Sequence, residues 1–357
     1  LTVGALSGSA GGVITTATNA GTRTLTTNVA SGTATFAGRL QDNGAGVLAV
    51  TKTGGGTLVL SGSGGGTGAT TISAGTLQVG TGGAAGRLGS GAIANNGTLV
   101  FNRNDGYGGA VANVLTGSGG ITLAGGTLTL TAASSFSGAS SINGGTLRVD
   151  GSLASSAVAV NAAGLLAGSG TVGNVAVNVG GTIMPGNGPG TLTAGDVIFN
   201  GGGNYNWQLT NATGSPGSQW DFIASSGSLT INATAGSPFA INLWTLSSTA
   251  PDTSGSAANF NQYANATWKI GTFAGGINGF AANLFNLVTG SANGTGGFAN
   301  PFVGTFSITT IGNDLDIVYT APAISSDDYS GGTGVFSDAA NWSLGVAPSG
   351  TPSITFS

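Results

Sequence analysis

The chain has 357 residues, 70 of them Gly, only 5% charged residues, no Glu, His or Cys, and a formal net charge of −4. That charge and a pI near 4.3 exclude the basic face that nucleic-acid binding requires, and no apolar run reaches the length of a membrane-spanning helix. Gly and Pro together make 79 of 357 residues, near the share at which aperiodic chains stay disordered. Here, however, 40% of the residues are apolar and recur in short alternating runs, the pattern of half-buried strands.

Residues 1–50 carry this pattern loosely, at Arg23–Thr26, Thr33–Phe36 and Val47–Val50, with Gly, Asn and Ser between the runs. From Gly56 a Gly-Thr-Leu signature recurs, beginning at Gly56, Gly75, Gly97, Gly126 and Gly145 and varied at Gly164 and Gly181, with spacings of 19, 22, 29, 19, 19 and 17 residues. A longer echo is also present: Gly55–Gly80 and Gly125–Asp150 align without a gap at 12 of 26 identical positions. A unit near 20 residues holding two or three short strands predicts a β-solenoid. In that architecture each strand pairs in parallel with the one a turn below, Leu, Ile and Val stack inward, and Thr, Ser and Asn face water. Gly before each strand is expected to supply the positive φ of a tight corner. Ten turns over residues 1–195 would make a rod on the order of 45 Å long. The 29-residue interval contains Asn102–Asn113, read as a loop leaving the rod.

The run GGTLVLSG…TTISAGTLQVG, followed by GRLGSGAIANNGTLVFN, resembles the autotransporter-associated β-strand repeat of passenger regions in large bacterial secreted and surface proteins. Gly168–Leu192, GSGTVGNVAVNVGGTIMPGNGPGTL, resembles the segment that closes a run of these repeats. The resemblance covers roughly residues 40–200. It implies a right-handed parallel β-helix, the handedness coming from the family alone, and an extracellular or bacterial cell-surface location. Zero Cys and one Met suit an exported protein that needs no disulfides. The chain shows no signal peptide and reads as a segment of a longer polypeptide whose export signal lies outside it.

Residues 196–321 hold 17 of the 25 aromatics, including Trp207, Trp220, Trp244 and Trp268. Strands are expected at Asp196–Phe199, Asn204–Leu209, Ser228–Asn232, Phe239–Leu246 and Phe306–Tyr319, and a short helix at Ile277–Leu287, where Phe280, Leu284 and Leu287 share a face. This region is read as a wider end or cap of the solenoid; the competing reading is an aromatic surface that stacks on sugars. Residues 322–357 read as a linker and the start of a following repeat unit.

Chemistry-bearing residues are few: 11 Asp, two Lys, five Arg and five Tyr. Asp314 and Asp316 share one strand face and are read as solvated, as are Asp327 and Asp328 in the linker. Asp42, Asp105, Asp150 and Asp196, like Arg39, Arg87, Arg103 and Arg148, are scattered singly. The best candidate cluster is Arg103–Tyr107. Gly331–Phe336 is similar to a calcium-binding nonapeptide but lacks its Asp. The Gly62–Gly68 run has no Lys for a phosphate loop, and the Thr127-Thr129-Thr131 alternation is not repeated at every turn. No catalytic, cofactor-binding or metal-ligating residue is therefore assigned. The expectation is a non-enzymatic structural module: a surface stalk, extracellular filament or surface layer, with an adhesive role. Its partners would be copies of itself, in series or side by side, and surface glycans, without nucleic acid and without membrane insertion by this segment. The alternative is a carbohydrate-binding or polysaccharide-cleaving β-helix.

Overall fold

A computed structural model describes residues 1–107, 109–249 and 252–322. The alternating runs become parallel strands stacked turn upon turn around three sides of a parallel β-helix. The second side is one unbroken eleven-stranded sheet. It runs from Thr33–Phe36 through Thr57–Leu60, Thr76–Val79 and Thr98–Asn102 to Leu229–Asn232 and Ile277–Asn278. The first side is a six-stranded sheet from Thr2–Val3 to Leu115–Thr116. It continues through the Ala133–Ser152 bridge into a seven-stranded sheet ending in Thr305–Ile311. The third side is a three-stranded sheet, Val13–Thr15 to Gly64–Gly65, followed by an eight-stranded one that opens with Thr127–Leu130.

Parallel stacking in register turns the alternation into columns. Leu60, Val79, Phe101, Leu123, Ile142 and Val160 are successive rungs of one inward column, and none is more than 5% exposed. Burying each side chain of this size contributes about 1.5–3 kcal/mol, so a charge-poor chain gains its stability from repetition. The Gly expectation holds in part. Gly75, Gly126 and Gly145 have φ of 67°, 78° and 73°. Gly56, Gly97, Gly164 and Gly181 do not; there the neighbouring turn lies too close, and a Cβ on Gly97 would sit 2.3 Å from the Gly75 carbonyl oxygen.

The two long repeat copies do not stack on the same side. Thr57–Leu60, Thr76–Val79 and Thr98–Asn102 belong to the second side, whereas the equivalent Thr127–Leu130 and Gly145–Val149 belong to the third. Thr98–Asn102 is followed on its own side by Gly120–Gly125, and one further side leads to Thr127. The 29-residue interval is thus a full turn plus one side, and the second copy is rotated by one side about the axis. The described residues of the 102–113 segment accordingly do not leave the rod, contrary to expectation. Val111 bridges Leu130 in parallel, and Tyr107 and Val111 are buried.

Past residue 195 the same sides continue while the turns lengthen, with second-side strands starting at Val197, Leu229 and Ile277. Trp207, Tyr205, Trp268 and Phe273 fill the larger interior. The expected helix over 277–287 is absent. Only Ala282–Leu284 forms a 3₁₀ turn, and Phe285–Val288 is a strand that pairs in parallel with Phe239–Asn242. Pairing satisfies backbone groups that a helix would have left the preceding turn without, and it places Phe285 on Phe239 and Leu287 on Ile241. The stack closes with a change of direction. Ala266–Phe273 pairs antiparallel with Asp314–Thr320, which pairs antiparallel with Thr305–Ile311; the run expected as one strand from Phe306 to Tyr319 is this hairpin. Among the described residues no helix is long and apolar enough to cross a membrane.

Candidate functional site

The Arg103–Tyr107 cluster is a clasp between turns. Arg103 Nε and Nη2 each donate to the Asp105 carboxylate at 2.7 Å. Its Nη1 donates to the Gly86 carbonyl, and Nη2 also to that of Ala84 at 2.5 Å. The guanidinium lies 5.2 Å from the Tyr107 ring centroid, and Tyr107 Oη accepts the Leu88 N–H at 2.8 Å. Arg103 holds the Asp105 carboxyl below its usual range, while burial pushes the Tyr107 phenol up. Neither group is poised to exchange protons near neutrality.

The other acids also serve the corners of the solenoid. Asp42 accepts Leu48 N–H at 2.6 Å together with Thr67 N–H and Oγ1, which lowers its pKa. Asp196 accepts Ser228 N–H at 2.8 Å, and Asp150 pairs with Arg148 at 2.7 Å. Asp314 and Asp316 share a strand but not an environment. For Asp314 burial pushes upward, yet Lys269 at 2.5 Å and Thr272 at 2.6 Å outweigh it and lower its pKa. Asp316, expected on a solvated face, is 3% exposed. Burial, with the Asp314 charge second, raises it to about 6. It lies on the central strand of the closing antiparallel sheet, between Lys269 and Thr309.

The tryptophans proposed for sugar stacking point elsewhere. Trp207, Trp220 and Trp268 are buried and donate Nε1–H to the carbonyls of Asp221, Lys269 and Ala212. Trp244 is half-buried and donates to Ser254 Oγ at 2.8 Å. The aromatic surface is a core. The Thr127–Thr131 array stops at the next turn, where Arg148 is the rung on Thr129.

Three features escaped the sequence reading. Lys52 is fully buried without a carboxylate partner among the described residues, its Nζ donating to the carbonyls of Thr53, Gly54 and Ala74 at 2.7, 2.7 and 3.3 Å; burial lowers its pKa. Asp221, also fully buried, accepts N–H bonds from Gly190 and Gln208 and so ties down the Pro185–Gly190 corner. Burial first, and then the charge of Asp252, drive its pKa up. Its flanks, Trp220 and Phe222, were the one hint that it is interior. Third, Asn143, Asn161, Asn178, Asn200 and Asn232 form a ladder of side-chain amide bonds of 2.7–3.2 Å along one corner. Its signal was legible, since each Asn follows an alternating apolar run.

Among the described residues no group of three or more His, Cys, Asp or Glu could hold a metal ion. Asp327, Asp328, Gly331–Phe336 and the tail unit expected over 322–357 lie outside the described residues, apart from Pro322.

The model of the passenger-associated transport repeat matches residues 50–79 and 125–149, the two copies that the structure places on adjacent sides. A curated relative, the extracellular serine protease of Serratia marcescens, is 38% identical over 102 residues, covering 28% of this chain and 10% of that protein. The match thus spans about a tenth of the relative's length. With these matched repeats stacked as a parallel β-helix, the chain carries passenger-type transport repeats, which together with the extracellular relative indicate an exported, extracellular or cell-surface module.

Proposed function

We propose that this module is structural and non-enzymatic: a stiff segment of a larger passenger that forms part of a surface stalk, filament or layer and contributes to adhesion. The observation that carries this reading is the use of its polar groups. The Asp side chains at positions 42, 105, 150, 196 and 221 are engaged in corners and clasps, and the asparagines tie turn to turn. The relative's name denotes a serine protease, but these 357 residues contain no His to act as the base of a Ser-His-Asp triad. Aligned rows on the outside, such as Thr33, Thr57, Thr76 and Thr98, offer flat polar strips to other copies of the chain or to surface glycans.

Electron microscopy of the purified chain tests this reading, together with assays for cleavage of proteins and polysaccharides. Rods that align in series or side by side and cleave nothing are the expected result. A monodisperse particle that degrades a polysaccharide or a peptide would overturn it.

A further inference from the structure

Seven cationic side chains are distributed over the chain. Lys52 is held by carbonyls, Arg103, Arg148 and Lys269 by carboxylates, and Arg23 by the Asn19 amide oxygen at 3.3 Å. Arg39 and Arg87 have neither a side-chain hydrogen bond nor an ion pair among the described residues; the Arg87 guanidinium lies 5.8 Å from the Tyr107 ring centroid, a contact that leaves its N–H groups without a carboxylate. Both are exposed, and both line the same groove of about 480 Å³.

The β-helix sets their spacing. The rung Leu40–Gly64 places Gly64 one turn above Leu40, the neighbour of Arg39. A Cβ on Gly64 would lie 2.3 Å from the Arg87 carbonyl oxygen, which places Arg87 one turn further on. Two turns separate the two backbone positions by about 10 Å along the axis. The turn between them contributes Gly62 and Ser63 to the groove, and Ala10, Ala37 and Ala85 line it on other turns. Arg103 and Tyr107 line it as well, beside Arg87, and the groove spans successive turns.

The nearby acids do not neutralise it. Asp42 is occupied by Leu48 and Thr67, and Asp105 by Arg103. Arg is the side chain that binds planar oxyanions through two parallel N–H bonds. Two guanidiniums without an ion pair, on turns at a fixed axial interval, suit an extended polymer bearing acidic groups. A duplex nucleic acid, with one charge per ~1.7 Å, would meet only two cations without an ion pair on a body that is itself net negative.

We propose that this groove binds an extended acidic polysaccharide, with Arg39 and Arg87 each engaging one oxyanion group of the polymer. The inference deepens the adhesive part of the function proposed above and rests on the display of the rod at the surface.

The test is biolayer interferometry of the 357-residue chain against polygalacturonate, dextran sulfate, neutral dextran and duplex DNA. Circular dichroism and electron micrographs of each variant show whether the β-rod is intact. An acidic polysaccharide is expected to bind and neutral dextran not. Preference for polygalacturonate assigns carboxylate recognition, and preference for dextran sulfate assigns sulfate. Arg39→Gln and Arg87→Gln should each weaken binding about tenfold, the Lys variants should recover part of the loss, and Arg23→Gln should change nothing. Equal binding by the doubly substituted chain, equal binding of neutral dextran, or tighter binding of DNA would overturn the proposal. Intact rods that bind no polyanion would also overturn it while leaving the structural reading in place.

Discussion

Asn178 Nδ2 donates to Asn161 Oδ1 at 2.7 Å, while Asn178 Oδ1 accepts from Asn200 Nδ2 at 2.8 Å. The amide of Asn178 therefore links three successive turns at one corner. Such ladders form only when identical residues stack in register, and here the turns of 17 and 22 residues between these asparagines meet that condition. Asn178→Ala removes two hydrogen bonds and should cost about 1–3 kcal/mol. Thermal unfolding followed by circular dichroism checks this, with the exposed neighbour Val179 changed to Ala as a control that leaves the midpoint unmoved.

Lys52 tests how much a buried lysine contributes through its apolar stem and how much through its hydrogen bonds. Lys52→Ala opens a cavity and leaves the carbonyls of Thr53, Gly54 and Ala74 without this donor; the expected loss is about 2–4 kcal/mol. Lys52→Met retains the stem volume and avoids desolvating an ammonium. It should unfold at a temperature between those of wild type and the Ala variant. A Met variant as unstable as Ala would show that the carbonyl bonds alone carry the site.

Asp221 anchors Gly190 N–H at 3.1 Å and Gln208 N–H at 3.0 Å. Asp221→Ala orphans both buried donors and is expected to cost about 2–4 kcal/mol. Asp221→Asn keeps one acceptor and the same shape, and should cost less. Amide exchange resolved at Gly190 distinguishes a local opening of the Pro185–Gly190 corner from global unfolding.

Asp316 gives the rod a pH dependence of definite sign. Its folded pKa of about 6 lies above the ordinary carboxyl value of 3.8, so between these values the folded chain holds more protons than the unfolded one. This group therefore withdraws stability as pH rises through that window. Asp316→Asn removes the penalty. It should raise stability at pH 7 by about 1–2 kcal/mol, the nearby Lys269 keeping the gain below the full shift, and change little near pH 4. Unfolding midpoints of both proteins across this range decide the matter, and a variant gain independent of pH would contradict the assignment.

How much of this was legible along the chain depends on the range of the interaction. Leu58, Leu77 and Leu99 declared their common column through the Gly-Thr-Leu spacing, because a parallel stack turns a sequence period into a contact. Phe285 and Leu287 were misread as part of a helix. Over so few residues the periods of 3.6 and 2 overlap, and the deciding partners, Phe239 and Ile241, lie 46 residues earlier. Asp316 was misplaced for a related reason. Alternation with Leu315 and Ile317 correctly put it on the outer face, but its burial comes from a central position between two antiparallel neighbours.

The sequence by itself determined the period, the inward residues, the all-β character and the scarcity of acid–base chemistry, since these follow from composition and local alternation. Only the tertiary structure decided that the second repeat copy is rotated by one side, that Tyr107 and Val111 belong to the rod, and that Arg39 and Arg87 share a groove. Those facts depend on how many residues each turn consumes before closing on the one below. That number is set by the packing of neighbouring turns and corners, which no single stretch of the chain contains.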